Sequence, residues 1–208
     1  MSAFLGKIHY WLYNKIQLHE ALIEDIAKLA DNNGYKADSL ISESYSKYGE
    51  PIVGSLEDNI NRSNIHGWLQ ERIISVESRL AYIITNLLRD NIVKKEDIAH
   101  IFYQNGVNTM KELDVEDGTP ENFFNLIFDY MLEGMPCDRV NEIIENNEES
   151  ISWRTTSDLH RAYWDNVHGD VQNFNDFRDS WINGFLSESP AGYKYSRKED
   201  GISTIEKV

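Results

Sequence analysis

Residues 155–186 read TTSDLHRAYWDNVHGDVQNFNDFRDSWINGFL, the densest concentration of aromatic and histidine residues in the chain. It holds two of the six histidines and two of the five tryptophans of the chain. Thr155 followed by Asp158 has the form of a capping box, with Asp in the place of the usual Glu or Gln. Tyr163, Val167, Val171, Phe174, Trp181 and Phe185 then track one face at helical spacing, with His160 and Trp164 in or beside that face. One long helix is expected here, kinked if anywhere at Gly169, with its first two turns forming a candidate wall of an internal site. His168 turns away from the apolar face unless Gly169 bends the helix.

Working outward, two more long helices are expected. Residues 4–30 carry Leu5, Ile8, Leu12, Ile16, Ile23, Ile26 and Ala30 on one stripe, and Gly34 supplies a C-terminal stop. Residues 64–90 carry Ile65, Leu69, Ile73, Val76, Leu80, Ile84 and Leu87. Shorter helices are expected over 36–48, over 94–104 with Asn105-Gly106 as the stop, over 121–132 after the Thr119-Pro120 start, and from Asp138 through Ile144. Strand-like alternation is weak and confined to Ile52-Val53. The expected fold is therefore all-α: a helical bundle built on three long helices (about 4–30, 64–90 and 155–186) plus several short ones. It forms a single helical domain over residues 1–186. Residues 187–208 form a polar C-terminal tail, flexible or lying on the surface.

The 208 residues include 35 acidic and 20 basic side chains, a formal charge of −15. A chain so acidic is repelled by phosphate backbones and anionic membranes, which argues against nucleic-acid and membrane partners. No apolar run reaches the roughly 18 residues that span a bilayer, and the first residues lack the pattern of a signal peptide, so a cytoplasmic location is expected. The single cysteine, Cys137, excludes an intrachain disulfide, a multi-thiolate zinc site and a two-cysteine haem attachment, and is expected to be a buried or partly buried structural thiol.

The histidines carry the chemical clue. His9 and His19 on the first helix, His66 on the second and His160 on the last all map to interior or boundary positions, where helical bundles place ligands. Glu77 shares a shoulder with His66, and Tyr163 and Trp164 follow His160. These seven residues are the candidate lining of a pocket for a metal or small ligand, with Arg72 and Arg161 as candidate contacts to an anionic group. The competing reading for each is ordinary packing. A mononuclear metal is compatible with the set. Dinuclear iron is not, because Gln70 and Trp164 stand where a second ligand four residues after His66 and His160 would be needed, and serines stand three before each. There is no phosphate-binding glycine loop and no nucleophile elbow. A nearby carboxylate, Glu20 or Glu77, could complete or orient a histidine site, while carboxylate pairs such as Glu20 with Glu24 and Asp176 with Asp179 read most economically as solvated faces. Whether the protein is an enzyme is left open. The two functional expectations are a helical bundle with a His/Trp/Tyr-lined pocket and, alternatively, a non-catalytic acidic module whose surface and C-terminal residues 187–208 engage a protein partner, with a self-associating bundle as its variant.

Overall fold

The computed structural model describes residues 4–113, 115–190 and 192–208. It is mixed rather than all-α: helices α1 (Lys7–Asn32), α2 (Asp38–Tyr48), α3 (Leu56–Asn59), α4 (Ile65–Arg89), α5 (Lys95–Glu112) and α6 (Pro120–Tyr130) precede strands β1 (Asn141–Asn146) and β2 (Ser150–Thr155). Helices α7 (Arg161–Asp165) and α8 (Val171–Ser187) and strands β3 (Tyr193–Arg197) and β4 (Ile202–Lys207) follow. The chain divides into two compact units. One comprises the chain up to Val93, Tyr130–Pro136 and His160–Asp170; the other comprises Lys94–Asp129, Cys137–Leu159 and Val171–Val208.

In the first unit α1 and α4 run parallel, since His9 meets His66 and Glu20 meets Arg79. Beyond its first turn the stripe of each is buried as its spacing requires, with Leu12, Ile16, Ile23 and Ile26 on α1 and Leu69, Ile73, Val76, Leu80 and Ile84 on α4, whereas Ile8, expected on the same stripe, is exposed. Helix α1 ends in a Schellman motif, with Gly34 at φ +82°, Gly34 N–H donating to Asp31 O and Tyr35 N–H to Ala30 O.

The second unit overturns the all-α expectation. Its sheet is antiparallel, in the order β1-β2-β4-β3. Ile151 and Trp153 alternate inward with Ser150, Ser152 and Arg154 outward on β2, and Ser203 and Ile205 do the same on β4. The expected polar tail is the β3–β4 hairpin: Lys198 and Ile202 close the turn, and Gly201 takes the left-handed conformation at φ +80°. The short helix expected from Asp138 is strand β1. Aromatic rings cover the inner face, where Trp153 lies 5.1 Å from Phe124 and 6.0 Å from Tyr195 between ring centroids.

The opening stretch is not one helix. Thr155 ends β2, and the chain from His160 belongs to the first unit until it re-enters the second at Val171. Helix α7 stops in a Schellman motif of its own: His168 sits at φ +56°, its N–H donates to Asp165 O, and Gly169 N–H donates to Trp164 O. Gly169 is required there, because a Cβ would strike the Thr85 hydroxyl and the Trp164 ring.

Nor does Asn105-Gly106 stop a helix; α5 continues through it to Glu112. The two residues are used sideways instead. A Cβ on Gly106 would collide with the Trp181 carbonyl, and one on Gly184 with the Tyr103 carbonyl, so paired glycines let α5 and α8 touch backbone to backbone. Asn105 Oδ1 accepts the Trp181 indole N–H at 2.8 Å across that contact.

Candidate functional site

Every residue singled out as pocket lining lies in the first unit, and four of them form two pairs, His9 with His66 and Glu77 with His160. At the N-terminal ends of α1 and α4, His9 Nε2 stands 3.3 Å from His66 Nε2. The backbone N–H of Gly6 donates to His9 Nδ1 at 2.9 Å, so neutral His9 carries its proton on Nε2 and donates it to His66. This is a capping and hydrogen-bonding arrangement. A metal at His9 Nε2 would have to break the cap. The ring stack continues inward, with Tyr13 6.2 Å from Trp68 and Arg72 lying 5.7 Å from the Trp68 ring.

The second pair is Glu77 with His160. His160 Nδ1 is 3.2 Å from Glu77 Oε1, with the two side chains 5% and 1% exposed. His160 immediately precedes α7, so this close contact sets the carboxylate of α4 against the start of that helix. Trp164, one turn on, is fully buried, Tyr163 is half-buried and Arg161 is exposed. His66 and Glu77 are eleven residues apart on α4, about 16 Å along its axis. His66 therefore does not converge with Glu77 and His160. His19 turns back on its own helix, its Nδ1 3.0 Å from the Lys15 carbonyl. Among the described residues, no three His, Cys, Asp or Glu side chains are grouped to hold a metal ion.

Sequence reasoning missed the strongest electrostatic feature of this unit. Glu20, read as part of a solvated face, is buried and takes both terminal nitrogens of Arg79, Nη1 donating to Oε2 at 2.7 Å and Nη2 to Oε1. Only one signal could have found it: Glu20 follows His19 on the apolar side of α1, and Arg79 directly precedes Leu80 on α4. Lys15 is also buried, with its ammonium 3.4 Å from the centroid of the Trp11 ring.

In the second unit Asp176 and Asp179, also read as a solvated pair, knit α8 to α5 and β3. Lys95 Nζ lies 2.6 Å from Asp176, and Arg197 spans both carboxylates, donating from Nε to Asp179 at 2.8 Å. Burial alone would raise the Asp176 carboxyl, but hydrogen bonds from Lys95 and Gln172 and the charges of Lys95 and Arg197 outweigh it and hold it below the usual carboxylate range. Burial, reinforced by the Asp179 charge, pushes the Tyr195 phenol up. A cavity of ≈ 50 Å³ beside this network is bordered by Trp153, Arg178 and Ser203, room for water rather than a substrate.

An open depression of ≈ 500 Å³ borders Asp117, Asn122, Glu148 and Tyr193, and a further surface feature is β1. Between Glu142 and Glu149 lie four glutamates and no basic residue. Ile143 and Ile144 are 45% and 48% exposed at the edge of the sheet, although Ile143 pairs with Trp153 and so faces the core side. A bulge between Ile143 and Glu145 leaves Ile144 without a register partner on β2. Cys137, expected to be at least partly buried, is exposed. No protein-family model, curated protein or solved structure matches the chain. No helix of the described residues is long and apolar enough to cross a membrane.

Proposed function

We propose that this protein is a non-catalytic interaction module that engages a protein partner through the acidic β1 edge of its second unit. The observation that carries this reading is the pair of adjacent isoleucines, Ile143 and Ile144, left about half exposed on an edge strand while every other isoleucine of the sheet is buried or half-buried. Exposed apolar side chains rimmed by charge are the usual composition of a recognition surface. The distance of His9 and His66 from Glu77 and His160 adds support, because the residues expected to line one pocket do not all meet.

Deleting the C-terminal segment is the wrong test of this reading, since β4 is an interior strand between β2 and β3 and its loss would dismantle the sheet. The test is quantitative affinity capture from the native host with the wild-type chain and with Ile143→Asn/Ile144→Asn. Proteins retained by the first and lost from the second, with unchanged thermal unfolding, are the expected result. An identical set on both sinks the reading.

A second reading keeps an internal small-ligand site around His160, Tyr163 and Trp164, supported by the buried Glu77 carboxylate 3.2 Å from His160. It expects a bound molecule in protein purified from the native host, lost on His160→Ala. A ligand-free mass spectrum of that native material excludes it.

A further inference from the structure

Building on the interaction-module reading, we infer that β1 takes its partner by strand addition, and that the occupant is an extended segment alternating basic and apolar residues. Strand β1 ends the order β1-β2-β4-β3, and among the described residues no strand pairs with its outer side. An edge of this kind presents backbone donors and acceptors that a further strand can satisfy.

The side chains state which strand fits. On the solvent face Glu142 stands opposite Arg154 and Glu145 opposite Ser152, so the charge at Glu142 has a basic neighbour and that at Glu145 has none across the ladder. Glu148 and Glu149 continue the negative rim into the β1–β2 turn. On the core-side face Ile143 extends the apolar surface of Trp153 outward, and the bulge leaves the adjacent Ile144 half exposed and without a partner on β2. An added strand with period two would set its apolar side chains over the isoleucines and its cations near Glu142 and Glu145.

The same residues disfavour another occupant, a second copy of this chain. Antiparallel pairing of two β1 strands would bring Glu142 and Glu145 of one copy against their counterparts, and like charges facing across a ladder repel. Charge and bulge are the devices by which edge strands avoid indiscriminate pairing. Here they leave one class admitted, because a basic strand converts the repulsion into attraction.

The probe is a fluorescent peptide of four Lys-Val repeats, with two controls: the same length in Glu-Val repeats, and the Lys-Val peptide with one central proline. Anisotropy with the intact 208-residue chain is expected to show saturable binding of the Lys-Val peptide that weakens with salt. It should fall about tenfold or more with the proline peptide, with Ile143→Asn/Ile144→Asn and with Glu142→Gln/Glu145→Gln. Amide exchange should slow over residues 141–146 when peptide is bound. Equal binding of the proline peptide reduces the effect to charge alone and overturns strand addition, as does protection elsewhere or no binding at all. A concentration-dependent dimer abolished by Ile143→Asn/Ile144→Asn overturns it in favour of a second copy. If the peptide fails while β1-dependent capture from the host persists, strand addition falls and the interaction reading stands. If both fail, both fall.

Discussion

The two units place their charged groups differently. In the first, Lys15, His19, Glu20, Glu77, Arg79 and His160 are all buried; among the described residues of the second, the buried polar side chains are the hydroxyls of Thr109 and Ser203. The second unit keeps its ion network of Lys95, Asp176, Asp179 and Arg197 part-exposed and joins its helices by glycine contact instead. A buried charge is expensive unless fully partnered, so the polar side chains of the first unit are fixed by the demands of its core. Those of the second remain available at the surface, which is why the surface of the second unit is the better place to look for a partner.

The comparison is broken most sharply at Glu20. Glu20→Ala leaves Arg79 buried without its carboxylate and is expected to cost about 3–5 kcal/mol by denaturant unfolding. The double change to Glu20→Met/Arg79→Met should recover most of that loss. A single-variant cost below about 1 kcal/mol would mean the pair is hydrated and the contrast between the units is false.

The glycine contact is next. Gly106→Ala and Gly184→Ala each force a methyl into the facing backbone and are expected to destabilise by about 1–3 kcal/mol, towards the upper end because backbone yields less than a side chain. Gly192→Ala, with no atom near its Cβ but a positive φ, isolates the conformational part of such a cost.

The pH response of the second unit should be smaller. Asp176 is depressed in the fold, so its contribution is present above the ordinary carboxylate pKa of about 4 and is lost as pH falls through the folded value. Its side chain is 38% exposed, so water screening limits the effect of Asp176→Asn to within about 1 kcal/mol near neutrality. Tyr195 has the opposite sign. Its raised pKa contributes stability that is complete below about pH 10 and lost as pH rises from there through the folded value. Tyr195→Phe should flatten that alkaline loss in unfolding curves measured from pH 9 upward.

Smallest of all is Ile143→Asn/Ile144→Asn, expected to leave unfolding within about 0.5 kcal/mol per position because both side chains are already half in water. A large destabilisation would show that β1 is packed in solution and would remove the surface on which the interaction reading rests.

Legibility in the sequence followed the range of the interactions. The N-terminal start of α6 was readable because it closes on itself: Thr119 Oγ1 accepts from Asn122 N–H, and Asn122 Oδ1 accepts from Thr119 N–H at 2.9 Å. The strands were misread although Ser150–Thr155 and Tyr193–Arg197 alternate, since each gains its hydrogen bonds only from a partner elsewhere in the chain. Of the candidate residues, the two pairs His9–His66 and Glu77–His160 came together across helices, but no helical periodicity could show that the pairs stay apart.

The sequence by itself determined the long helices α1 and α4, their buried faces and the acidic character of the chain, because helical hydrogen bonds, stripe burial and net charge are settled within a few turns or by composition. Only the tertiary structure decided that β2 pairs with β4 fifty residues later, that Asn105-Gly106 is a helix contact rather than a stop, and that Glu20 answers Arg79. Each of these depends on a distant segment supplying the other half of the contact, and the energy of a ladder, a close backbone approach or a buried ion pair exists only once both halves are in place.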